Sequence, residues 1–238
     1  MLLKPAKSFL LALAFTLTGV VAPAAVHADA AGAALTREAQ AAITPAKALE
    51  MLKQGNERFV SDKSIERDYL AQVKQTSSGQ FPFAAVVSCL DSRIPPAIVF
   101  DRSIGDLFVA RVAGNFVNDD ILGSLEFATK LAGAKLILVM GHTECGAIKG
   151  ACDGAQLGLL TATLANINPA VKAVQGDYTP RNSQNDKFVQ AVTEMNVQHT
   201  MQTLRDRSVV LREMIDKGEI GLVGAMYDVS SGRVIFYD

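Results

Sequence analysis

The chain has 238 residues, 23 Lys and Arg against 24 Asp and Glu, and 49% apolar residues. A net charge of −1 excludes a broad electrostatic footprint for nucleic acid or an anionic membrane, and the apolar share excludes wholesale disorder. Three Cys are too few and too odd a number for a disulfide scaffold, so each needs its own account. Lys4 and Lys7 precede an almost wholly apolar run from Ser8 to Val21, and Val26-His27-Ala28 follows with small residues where a signal peptidase reads them. About 14 apolar residues fall short of the ~20 that span a bilayer, so residues 1–28 are expected to be a cleaved secretory signal. The mature chain, about 210 residues, is then periplasmic or secreted and keeps no stable membrane association. Residues 29–43 are Ala-rich without a helical stripe and are expected to be a disordered leader.

The remainder, 44–238, reads as one domain. Thr44-Pro45 starts a helix with an N-cap and a first-turn Pro, and Ala46, Leu49, Leu52 and Phe59 supply its apolar face. Residues 83–88 form a short continuous apolar run, the pattern of a strand buried on both faces. A second strand is predicted over 107–112, closed by Ala113-Gly114-Asn115. Asp119 is placed to cap a helix whose face is Ile121, Leu122, Leu125, Ala128 and Leu131. A third strand is expected over 135–140, ending at Gly141. Helical stretches follow at roughly 155–175 and 183–217, then a strand over 222–228, a Ser-Ser-Gly turn and a last strand over 234–237. The alternation predicts an α/β fold with a mainly parallel central β-sheet flanked by helices and an N-terminal helical extension.

Chemistry concentrates at two strand ends. Cys89 lies just past the first strand in Ser88-Cys-Leu-Asp-Ser-Arg93, and His142 and Cys145 lie just past the third in Gly141-His-Thr-Glu-Cys-Gly146. In a parallel sheet both emerge at the carboxyl edge, where ligand crevices form. A Cys₂His set suits Zn²⁺, and three protein ligands leave the open position of a catalytic zinc site. Spacing alone leaves a Cys89–Cys145 disulfide and ordinary buried thiols open. Asp91 and Arg93 are either a solvated ion pair or an Arg fork that fixes a working carboxylate; an inward-turned Asp91 would instead fill the fourth metal position. His199 falls in a polar helical stretch and reads as an exposed or capping residue. Glu144 reads as a loop carboxylate or a group behind the ligands, Tyr227 as core, and Cys152 as a bystander thiol.

Taken together, Ser88-Cys-Leu-Asp-Ser-Arg93, Gly105-Asp-Leu-Phe108, Arg111-Val-Ala-Gly-Asn115 and Gly141-His-Thr-Glu-Cys-Gly-Ala147 resemble the β-class carbonic anhydrases. Gln54-Gly-Asn-Glu-Arg-Phe59 and Gly224-Ala-Met-Tyr-Asp228 extend the likeness over about residues 44–238. The resemblance implies Cys89, His142 and Cys145 as zinc ligands, Asp91 and Arg93 as the catalytic pair, and reversible hydration of CO₂ to bicarbonate by zinc-bound hydroxide. It also implies a homodimer or a dimer of dimers, with the active site near the subunit interface. Two thiolates cancel the charge of Zn²⁺, so the water it activates is expected to be less acidic than beside three neutral imidazoles, and activity to rise toward alkaline pH.

Overall fold

The computed structural model describes residues 33–237. The expected signal, 1–28, and the first residues of the expected leader, 29–32, lie outside the described residues. The leader's remainder is partly ordered. Residues Arg37–Ala42 form helix α1, capped by the Thr36 hydroxyl, and Gln40 on it is buried with its amide donating to the carbonyls of Pro82 and Ala132 at 2.7 and 2.8 Å. Two side-chain-to-backbone bonds from distant chain hold this short helix, and an apolar stripe search cannot see them.

Helix α2 (Pro45–Val60) begins as expected, with Thr44 as its cap. Helix α3 (Tyr69–Thr76) is short and amphipathic, and leads into strand β1 (Ala84–Ser88). The one-turn helix α4 (Pro96–Val99) precedes β2 (Leu107–Arg111). Helix α5 (Asp119–Glu126) runs on into a π-helical turn at Phe127–Leu131, before β3 (Leu136–His142). Its cap is Asn118, whose side chain accepts from Ile121 N, rather than the expected Asp119. Asp119 and Asp120 sit instead in the first turn, where the helix dipole favours negative charge.

Helix α6 (Gly146–Cys152) follows β3 directly. The stretch expected at 155–175 divides into α7 (Gly158–Ala165) and α8 (Asn168–Ala173), and the stretch at 183–217 into α9 (Asp186–Arg207) and α10 (Val209–Asp216). The second break falls at Ser208, which caps α10 through Leu211 N and cannot also continue α9. Strands β4 (Gly221–Tyr227) and β5 (Val234–Phe236) close the chain.

The five strands form one sheet in the order β2-β1-β3-β4-β5, parallel except for the β4–β5 pair. The expected mainly parallel sheet is therefore what the chain forms. All residues of β1 and β3 are buried, as central parallel strands require. Alternation splits them between two layers. Ala84, Val86, Leu136, Leu138 and Met140 meet Met51, Leu52, Ile148, Ile167 and Phe188 on one face. Ala85, Val87, Ile137 and Val139 meet Leu122, Leu125, Leu204 and Leu211 on the other. Each such side chain larger than Ala contributes about 1.5–3 kcal/mol.

The 54–59 segment earns its pattern by contact. A Cβ on Gly55 would stand 1.9 Å from Phe100 O, so only Gly lets α2 touch α4 there. Asn56 is buried, donates to Val99 O and Gly232 O, and accepts from Val234 N at 2.8 Å. Arg58 and Arg67 both reach the buried Asp101 carboxylate.

Candidate metal centre

Ser88 pairs with Met140 in the β1–β3 ladder, so Cys89 and His142 leave the sheet at the same carboxyl edge. After His142 the chain turns through Glu144 at φ +57° and returns Cys145 at the mouth of α6. The ligand atoms of Cys89, His142 and Cys145 consequently lie within 4.8 Å of one another, and all three residues are buried. Their sulfurs are 4.0 Å apart and unbonded, which removes the disulfide alternative.

The imidazole is set for a metal. His142 Nδ1 lies 2.8 Å from Thr143 O, a contact only a protonated Nδ1 can make. That leaves a lone pair on Nε2, which is buried and has no hydrogen-bond partner. An orphaned acceptor facing two sulfurs would be costly in a purely structural core, and a cation relieves it. The two thiols lie in contact, one sulfur against the other. Contact with the Cys145 S–H draws the Cys89 thiol well below its ordinary range, against the opposing effect of burial, and the Gly114 N–H adds to it. Cys145 is pushed up by the same contact and by burial. Cys89, His142 and Cys145 would hold a dication through both sulfurs as thiolates and through the imidazole.

Asp91 stands beside this trio without joining it. Both its oxygens face Arg93, Oδ1 accepting from Nε at 3.0 Å and from the backbone N–H at 2.9 Å, Oδ2 from Nη2 at 2.8 Å. This fork holds the Asp91 carboxyl well below the usual carboxylate range, against partial burial. Oδ2 lies 4.0 Å from His142 Nε2. The Arg93 side chain is 50% exposed and that of Asp91 17%, so the pair connects the buried donors to solvent. Arg93 Nη2 also donates to Glu144 O at 3.3 Å, which ties the two loops together.

Some contributors escaped the sequence reading. Arg111 donates from Nε to Cys89 O at 2.9 Å and from Nη2 to Asp91 O, fixing the backbone on both sides of Leu90. Thr143 supplies the carbonyl that sets the His142 tautomer, and its hydroxyl accepts from Val229 N. Glu144 works through its carbonyl, while its carboxylate pairs with Lys149 on the surface. His199 is half-buried on α9 and lines a separate cavity with Asp206 and Arg207. Cys152 is half-buried and its thiol is pushed up to about 11 by burial.

The carbonic anhydrase family model matches residues 84–234. Carbonic anhydrase 2 of Mycobacterium tuberculosis is 34% identical over 203 residues, covering 82% of this chain and 93% of that protein. The chain belongs to the β-class carbonic anhydrase family. The carbonic anhydrase of Mycolicibacterium smegmatis is 31% identical over 199 residues, covering 80% and 92% of the two chains. Among solved structures, the β-carbonic anhydrase CafA of Aspergillus fumigatus superposes with a TM-score of 0.62 at 24% identity, covering 81% of this chain and 90% of that one. The enzyme is a carbonate dehydratase that interconverts CO₂ with bicarbonate and a proton, and its Cys89–His142–Cys145 set fits the zinc that β-carbonic anhydrases use.

Proposed function

We propose that Asp91 and Arg93 are the catalytic pair of this carbonic anhydrase, acting beside zinc held by Cys89, His142 and Cys145. The observation that carries this reading is the engagement of both Asp91 oxygens by Arg93, outside the three-donor cluster. Three protein donors leave a fourth position free for the reaction. When bound, zinc makes hydroxide available from water near neutral pH.

The residues do the rest. With both oxygens engaged by Arg93, Asp91 would act as a fixed acceptor, taking a hydrogen bond from a hydroxide beside it and orienting it toward CO₂. Arg93 keeps that carboxylate charged and turned away from the metal position. Its exposure gives bicarbonate and the proton a route to solvent. Stopped-flow CO₂ hydration tests the assignment. Asp91→Ala should keep stoichiometric zinc and lose about 10²-fold or more in rate. An equally fast variant removes Asp91 from the mechanism.

We further propose that the enzyme is exported and self-associating. Export rests on the Lys4–Lys7, apolar-run and Val26-His27-Ala28 pattern. A mature N-terminus at Asp29 in the exported protein supports it, and an intact Met1 in a cytosolic fraction contradicts it. Self-association as a homodimer or a dimer of dimers rests on exposed apolar surface, Leu157 and Leu159 around α7 and Val109 on the open edge of β2. Two β-carbonic anhydrases of Sordaria macrospora with this fold are tetrameric, one with a TM-score of 0.59 at 23% identity, covering 70% of this chain and 89% of that one. Light scattering that finds a monomer at micromolar concentration contradicts this part.

A further inference from the structure

Helix α9 buries two polar side chains one turn apart against the chain segment that follows β2. Asn196 is fully buried, and its Nδ2 donates to Gly114 O at 2.7 Å. Thr200, also buried, donates to Asn115 O at 3.4 Å. Burying such groups is unfavourable unless each finds a partner, and apolar residues would serve a core position better. Their partners are consecutive carbonyls of one turn, 82 and 85 residues away in sequence.

That turn faces the metal centre. Gly114 adopts φ +85°, and its N–H donates to Cys89 Sγ at 3.4 Å. A Cβ at Gly114 would stand 2.5 Å from Ile167 Cδ1, so the turn is packed against the loop before α8 on its other side. Gly114 is thus gripped between Ile167 and Asn196 with its one donor aimed at a ligand sulfur. An N–H bond to a thiolate lowers the energy of the sulfur lone pairs and orients them, and such supports behind the ligands tune metal affinity.

We propose that Asn196 is a positioning residue for the metal centre, holding the Gly114 turn so that its N–H supports Cys89 as a charged ligand. The inference rests on the reading of Cys89 as a zinc ligand. Unmutated protein that takes up no zinc sinks that reading; zinc-loaded protein indifferent to Asn196 sinks only the present one.

Asn196→Leu removes the donor at similar volume, and Asn196→Ala removes it without added bulk. Either is expected to weaken zinc about 10–100-fold in chelator competition. In the Co²⁺-substituted protein the sulfur-to-cobalt charge-transfer band is expected to move to lower energy, because the sulfur lone pairs lose a hydrogen bond. Val192→Ala, a buried α9 truncation that leaves Asn196 in place, should lower stability and leave the band where it is. A native-folding Asn196 variant with unchanged zinc affinity and unchanged band overturns the proposal, as does a band shift of equal size in Val192→Ala. The unmutated protein gives an arm independent of any variant's folding. Loaded with ¹¹³Cd, it should show scalar coupling between the metal and the Gly114 amide proton through the sulfur, and absence of that coupling overturns the proposal as well.

Discussion

Arg93 meets Asp91, two positions before it in the chain, through two guanidinium nitrogens and its own backbone N–H. Such closeness in sequence makes the fork cheap in entropy, because little chain must be ordered to form it. Lys at position 93 would keep the charge and lose the planar two-point grip. Arg93→Lys is therefore expected to retain zinc and to lose rate by about an order of magnitude or more, measured by stopped-flow hydration at saturating metal. A variant as fast as the parent shows that charge alone suffices. Gly114 is the other single-residue constraint. Gly114→Ala meets a strained φ and an Ile167 contact at 2.5 Å, and should destabilise the fold by about 1–3 kcal/mol in urea denaturation while lowering zinc uptake.

The short elements between strands depend on side chains reaching distant backbone. Asp101, at φ +46°, carries Arg58 and Arg67 and accepts from Ile65 N at 3.3 Å, which pins the chain before α3 to the loop before β2. Burial pushes its carboxyl up, but Arg67 and Arg58 together outweigh burial and hold it below the usual range. A depressed carboxyl stabilises the fold above its unfolded value near 4 and loses that contribution as pH falls through the folded value. Asp101→Asn leaves two arginines without their anion and should cost about 3–5 kcal/mol at pH 7. The gap to the parent should narrow below pH 4, and a constant gap from pH 7 to pH 3 contradicts this account.

Dependence on distant partners also decides which elements are legible in the sequence. The strands β1 and β3 announce themselves by continuous apolar runs, and the metal-donor residues by clustering at the carboxyl ends of both, His142 being the last residue of β3 itself. Helices α1, α3 and α4 do not, because each is a few residues long and is held by Gln40, by Gln72 with Ser103, or by packing on Gly55. Arg111 and Asn196 were illegible for the same reason: their partners are carbonyls 20 to 82 residues away. The open arrangement of Asp91 was undecided too, since a rotamer chooses between Arg93 and the metal position.

For the whole molecule, the parallel β1–β3 pair brings two chain segments 53 residues apart to one edge, and both sheet faces are covered around it. Metal binding to the folded chain alone adds to its stability, so chelation should lower Tm, and restoring zinc should raise it again. With Cys89 and Cys145 as thiolate ligands, water on zinc would be less acidic than beside three imidazoles, while Asp91, held below its usual range by Arg93, would not titrate near neutrality. The CO₂ hydration rate should therefore climb between pH 6 and 9, and a flat profile contradicts the charge argument. Zinc K-edge absorption on the loaded protein at neutral pH tests the centre most directly. The account predicts two sulfur neighbours at about 2.3 Å and one imidazole nitrogen at about 2.0–2.1 Å, unchanged in Asp91→Ala. A shell without two sulfurs, or one that loses a carboxylate oxygen in Asp91→Ala, would contradict it.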